Sequence, residues 1–267
     1  MQRHRHHGEP SYRVAVVHGG PGAVGEMEPV ARALAPRAGV VEPFHLATTI
    51  DKQVEELVEC LERHANPPAT VIGHSWGAWL AFITAALHPA VIEQLVLVSS
   101  GPFEARHVRG ITTTRVERLD PDEAKEFTSI INAFSTGQVN EPARAWHRLG
   151  QLALKSDSFE LVHDQEDEND ITKETNLEPA QRFARLMEEG NKLRRSGKLV
   201  ALGNQIRCPV IAIHGDHDPH PAAGVQEPLA RIVRDFKFIL LERCGHVPWR
   251  ERHAKDAFFR ILLELCS

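Results

Sequence analysis

Six short apolar runs punctuate the chain, at residues 13–17, 39–44, 70–73, 94–99, 209–214 and 236–241. Val14-Ala15-Val16-Val17 and Val210-Ile211-Ala212-Ile213 typify them, with no polar residue interleaved. Runs of this length without polar alternation predict strands covered on both faces. Between the second and third runs, Val54, Leu57, Val58 and Leu61 recur at the i, i+3, i+4, i+7 spacing of one buried helix face. Strands joined by helices predict an α/β fold with a mostly parallel, doubly wound sheet and a site at the strands' C-terminal ends.

Residues 101–205, between the fourth and fifth runs, read as helical instead. Asp120-Pro121-Asp122-Glu123 is a helix start, with an N-cap aspartate, proline in the first turn and glutamate three residues on. Its continuation places Phe127, Ile130, Ile131 and Phe134 on one face, and further helices are expected from Pro142 to Leu154 and from Pro179 to about Arg195. The expected organisation is a disordered arm at 1–10, a core at 11–100 and 206–267, and a helical insertion at 101–205.

Candidate chemistry begins at Gly73-His74-Ser75-Trp76-Gly77, set between the strand pattern Thr70-Val71-Ile72 and the helix pattern Ala78–Ile83. A serine at so sharp a strand-to-helix turn is forced outward, and side chains at the flanking glycines would collide with neighbouring backbone. The next amides lie at a helix N-terminus, where negative charge is stabilised. A serine hydroxyl also needs a histidine to take its proton and an acid to orient that histidine. Pro209–His214 leads into Gly215-Asp216-His217-Asp218-Pro219, and Phe236–Leu241 is followed by Cys244-Gly245-His246. The order Ser75, then Asp216 or Asp218, then His246 matches a known triad order. Upstream, the first strand ends in His18-Gly19-Gly20-Pro21-Gly22, a glycine-rich corner able to supply a second oxyanion donor.

These four motifs, from Tyr12 to the C-terminus, make the chain resemble the α/β-hydrolases. The pairing of HGGPG with GHSWG is similar to the proline iminopeptidase branch, which usually carries glycine at the position of His74. The resemblance implies Ser75 as nucleophile, His246 as general base and acid, and Asp218 rather than Asp216 as the orienting acid. It implies an oxyanion hole from the amides of Trp76 and Gly20, and a cap built from residues 101–205. It also implies a trimmed sheet of about six strands, because the first motif strand begins too close to the N-terminus for the usual opening strands. Trp249 and Phe103 are candidates for the substrate pocket. The implied activity is hydrolysis of a small carboxylic ester or related acyl compound through an acyl-enzyme. An aminopeptidase is the alternative, and a non-catalytic small-ligand binder of the same fold is the alternative from another class.

Other features change the picture less. His214, His217 and His220 with Asp216 and Asp218 have a metal-like spacing, but the triad accounts for Asp218, and no metal or cofactor is assigned. His18 is expected to order the glycine corner, and Cys244 to act as a small packing residue. The acids of His163–Asp170 could bind a substrate ammonium group, although a solvated loop is the simpler reading. A formal net charge of −5 without a basic stripe argues against nucleic acid as a partner. Four cysteines without framework spacing, no signal-peptide pattern and no membrane-length apolar run suggest a cytoplasmic protein acting on a small acyl substrate. The sequence leaves the oligomeric state open.

Overall fold

Each apolar run becomes a strand whose alternate residues serve two different cores. The computed structural model describes residues 3–20, 23–162 and 178–266, with side chains from 181 onward in the last stretch. Its strands are β1 (His4–His7), β2 (Tyr12–Val17), β3 (Gly39–Pro43), β4 (Ala69–His74), β5 (Ile92–Val98), β6 (Val210–Gly215) and β7 (Phe236–Leu241). They form one sheet in the order β1-β3-β2-β4-β5-β6-β7. Every pairing is parallel except that of β1 with β3.

Helix α1 (Glu28–Leu34) precedes β3, and α2 (Ile50–His64) follows it. Helix α3 (Trp76–Leu87) links β4 to β5. On one face Val14, Val16, Ile72, Val96 and Ile213 pack with Met27, Leu34 and Phe258. On the other, Ala15, Val17, Val71, Leu95 and Ala212 meet Leu57 and Leu61 of α2 and Trp79 and Phe82 of α3. Burial on both faces is why these strands read as unbroken apolar runs.

Between β5 and β6 lie α4 (Ile111–Arg118), α5 (Pro121–Thr136), α6 (Pro142–Asp157), α7 (Glu178–Arg195) and α8 (Lys198–Ala201). Asp120 caps α5, its carboxylate accepting from the amides of Asp122 and Glu123 at 3.2 and 2.9 Å. Leu119, Phe127 and Leu152 form a small core of their own beneath these helices. Helices α9 (Ala223–Ile232) and α10 (Lys255–Leu265) complete the chain. Among the described residues no helix is long and apolar enough to cross a membrane. The acidic stretch His163–Asp170 lies outside the described residues, as do Pro21 and Gly22.

One expectation needs correcting. The sheet has seven strands rather than six, because residues 4–7 of the expected arm pair antiparallel with β3, His4 opposite Pro43 and His6 opposite Val41. A run of His and Arg carries no apolar signal, and this edge strand is held by polar groups instead. Arg5 pairs with Glu28 and lies 5.1 Å over the Phe44 ring, while His6 stacks on Tyr12 at 4.1 Å. His7 Nε2 is 3.0 Å from Oε2 of Glu42, a fully buried carboxyl whose pKa burial pushes up. His7→Ala should therefore leave Glu42 buried without that hydrogen bond. We expect a loss of about 1–3 kcal/mol, seen as a lower thermal unfolding midpoint, whereas a residue in a free arm would change nothing.

Candidate active site

The strand order reverses around β2, so the loops that follow β2 and β4 lie side by side at the sheet's C-terminal edge. Only Ser75 separates β4 from α3, and it holds φ 52° and ψ −111°. That left-handed conformation is costly for a side chain bearing a Cβ and persists only where the surroundings enforce it. The enforcement is visible. A Cβ on Gly73 would run into the Gly77 carbonyl, and one on Gly77 into the carbonyl oxygens of Val17 and His18. The Ser75 amide is tied to Val98 O at 2.9 Å.

His246 arrives from the loop after β7 and places Nε2 3.0 Å from Ser75 Oγ. Its Nδ1 lies 2.7 Å from Asp218 Oδ2, from the loop after β6. With the serine hydroxyl donating to Nε2, Nδ1 carries the hydrogen and donates to the carboxylate. Burial pulls the His246 pKa down, but the charge and hydrogen bond of Asp218 outweigh it, and the net direction is upward. Burial likewise opposes ionisation of Asp218, yet His246, His220 and His214 around it hold its pKa well below the usual range. Asp216 does other work: its carboxylate accepts the Cys244 amide at 3.1 Å and joins the two loops.

The remaining expected residues fall into two groups. Trp76 opens α3, where its amide has no intrahelical acceptor. Its indole Nε1 donates to Gln53 Oε1 at 2.9 Å within the core. Gly20, at φ 25°, sits in the corner after β2. There His18 Nε2 accepts the His45 amide at 3.3 Å, so Nδ1 donates to Gly19 O at 2.9 Å and the buried ring is neutral. Cys244 is buried, and burial raises its thiol pKa far above the ordinary value, in keeping with packing. The two pocket candidates, Phe103 and Trp249, are buried. Phe103 is fully buried with its ring centroid 4.7 Å from that of Phe82, and Trp249 packs between His74 (4.8 Å) and Phe258 (6.0 Å). Their aromatic neighbours draw them inward, a preference that the sequence around either residue does not reveal.

Three supporting groups escaped the sequence reading. His220 offers both its amide and Nδ1 to Asp218 Oδ1, at 2.9 and 2.8 Å, and its own carbonyl accepts His214 Nε2 at 2.7 Å. Two of the three histidines with metal-like spacing, His214 and His220, therefore support the acid, whereas His217 donates its amide to the Cys244 carbonyl. Glu251, fully buried, accepts the amides of Gly245 (2.9 Å), Phe159 (3.0 Å) and Glu160 (2.9 Å) and so fixes the loop before His246. At the end of α6, the Asp157 carbonyl accepts the His246 amide at 2.9 Å while its carboxylate takes a two-point contact from Arg115 (2.7 and 2.6 Å). The only signal for these groups was an excess of His and acids near the motifs. Among the described residues two trios could hold a metal ion, Asp218-His220-His246 and His4-His6-His64, each with ligand atoms within 4.8 Å. In the first trio the donor atoms are already committed to one another.

Comparison with known proteins gives the family. The model of the alpha/beta hydrolase family matches residues 8–261, so the chain belongs to that family. A pimeloyl-[acyl-carrier protein] methyl ester esterase of Nitrosomonas europaea is 25% identical over 73% of this chain and 71% of its own. The protein of that name from Nitrosospira multiformis is 23% identical over 73% and 68%. The proline iminopeptidase of Mycobacterium smegmatis superposes with a TM-score of 0.68 at 17% identity, covering 98% of this chain and 93% of the other, a likeness of fold. Family and esterase-named relatives together make the protein a hydrolase enzyme.

The balance of charges at His246 is directly measurable. By histidine NMR, its ring should titrate above the ordinary 6.5 in the wild-type protein. In Asp218→Asn the opposing carboxylate is gone and burial remains, so the midpoint should fall below 6.5.

Proposed function

We propose that the protein is a serine hydrolase that cleaves a small carboxylic ester through an acyl-enzyme. The observation that carries this reading is the unbroken hydrogen-bond chain from Ser75 Oγ through both nitrogens of His246 to Asp218. It begins at a serine held in the left-handed region at a helix N-terminus. His246 Nε2 takes the hydroxyl proton as Oγ attacks the substrate carbonyl, and Asp218 stabilises the imidazolium that forms. The amides of Trp76 and Gly20 donate to the developing oxyanion. The same imidazolium then protonates the leaving group, and neutral His246 activates water for deacylation.

Helices α4–α7 act as the cap in this reading. Several contacts support it. Gly190 of α7 faces Trp76 and Trp79 so closely that a Cβ would sit 2.9 and 3.0 Å from their rings. The Ile50 amide donates to Glu189 Oε2 at 2.9 Å, and Arg118 of α4 donates to the carbonyls of Ser156 (3.0 Å) and His217 (2.7 Å). An ester is favoured over an amide because the curated relatives are named methyl ester esterases. The aminopeptidase reading keeps the HGGPG motif in its support.

A panel of p-nitrophenyl esters beside prolyl and alanyl arylamides separates the readings. Ester turnover should be present in the wild-type enzyme and fall by several powers of ten in Ser75→Ala. Arylamide cleavage at equal or better efficiency would favour the aminopeptidase, and no Ser75-dependent turnover would favour a binding protein. Because His246 must be neutral to act as base, kcat/KM should rise with pH through a midpoint above 6.5.

A further inference from the structure

Behind Ser75 the structure holds a second histidine–carboxylate pair, built from His74 and Glu26. The His74 ring is 1% exposed and both its nitrogens face acceptors. Nε2 lies 2.9 Å from the His246 carbonyl oxygen, and Nδ1 3.1 Å from Glu26 Oε2. A carbonyl oxygen can only accept, so Nε2 carries a hydrogen. The same Glu26 oxygen accepts the Gly19 amide at 2.8 Å. Burial pushes the Glu26 pKa up, but the His74 charge and the hydrogen bonds from His74 and Gly19 bring it down to about 2. The carboxyl is therefore ionised and also only accepts. The His74 ring thus bridges two acceptors, the Glu26 carboxylate and the His246 carbonyl.

We infer that this Glu26–His74 pair positions the reacting groups of the proposed hydrolysis, holding the oxyanion corner, the nucleophile and the base in register. The inference rests on the serine hydrolase reading given above. Each group the pair touches is one step from the chemistry. Gly19 precedes the proposed oxyanion donor Gly20, His74 precedes Ser75, and the carbonyl that His74 holds belongs to His246 itself. The strand side of Ser75 is already fixed by Val98. The pair joins that side to both loops at once. The corner is shaped around it: a Cβ on Gly19 would lie 2.6 Å from Glu26 Oε2 and 2.6 Å from His74 Nδ1. Trp249, set edge-on to the His74 ring at 4.8 Å, packs one flank of that ring. Charge-assisted hydrogen bonds of this kind are short and directional, which suits them to fixing geometry.

Neither residue touches the substrate in this account, so the expected signature is a loss in kcat with binding intact. Glu26→Gln and His74→Gln, made singly and together, should each lower kcat on an ester turned over by the wild-type enzyme by about 10–100-fold. KM should stay within about twofold. The double variant should be no slower than the slower single, because either change dissolves the same pair. Gly19→Ala provides a version that removes no charge: its Cβ displaces Glu26 and His74, and it should show the same loss in kcat. This variant carries the test if the others fold poorly. Wild-type kcat in Gly19→Ala or in both single variants, or losses that multiply in the double variant, would overturn the positioning role. Ser75→Ala run alongside separates the two levels. If it is inactive while the pair variants run at full rate, only the positioning role falls. If it keeps its turnover, the hydrolytic reading falls and the positioning role with it.

Discussion

A serine held at φ 52° between a buried strand and a buried helix leaves the chain almost no freedom around it. The elbow exists because three backbone segments meet with no room for a side chain, at Gly73 against Gly77 and at Gly77 against the end of β2. That crowding aims the Ser75 hydroxyl outward and frees the first amide of α3. It also brings the corner after β2 against the elbow. Loops from β6 and β7 then need only deliver an acid and a histidine to one place. The parallel pairing of those strands, with Gly215 opposite Leu241, delivers them.

Buried carboxylates organise the loops around this point. Asp218 is enclosed by His246, His220 and His214, Glu251 by three amides, and Glu26 by His74 and Gly19. An isolated buried charge is costly, and each of these carboxylates is stabilised by the hydrogen bonds it accepts, Glu26 while still partly exposed. Removing one partner strands the other, so the loops are specified as a set. Asp157 extends the arrangement to the end of α6, where Gly245 passes so close to its carbonyl that a side chain could not be accommodated. The helices between β5 and β6 are thereby coupled to the loop that carries His246.

The parts legible in the sequence are those governed by local pattern. Doubly covered strands announce themselves as apolar runs, α2 by its spacing, α5 by its Asp120 cap, and the elbow by its glycines. Motif order singled out Ser75 and His246 and left Asp216 or Asp218, the family resemblance selected Asp218, and the structure links the three in one hydrogen-bonded chain. Features held by long-range polar contacts were not legible. Strand β1 is a run of histidine and arginine whose partners lie on β3, on α1 and at Tyr12. Glu251 gains its role only when residues distant in the sequence, Phe159 and Glu160, meet it. The aromatic packing of Phe103 on Phe82 and of Trp249 on Phe258 was likewise not legible from the residues around them.

The central claim is that Ser75 is an activated nucleophile, and covalent labelling reads that property without knowledge of the natural substrate. Wild-type protein treated with an alkyl fluorophosphonate should gain a single adduct by intact mass, mapped to Ser75 by peptide sequencing. The same treatment of His246→Ala should label Ser75 far more slowly, since the hydroxyl has lost its base. An unlabelled wild-type protein, or an adduct on another residue, would contradict the account.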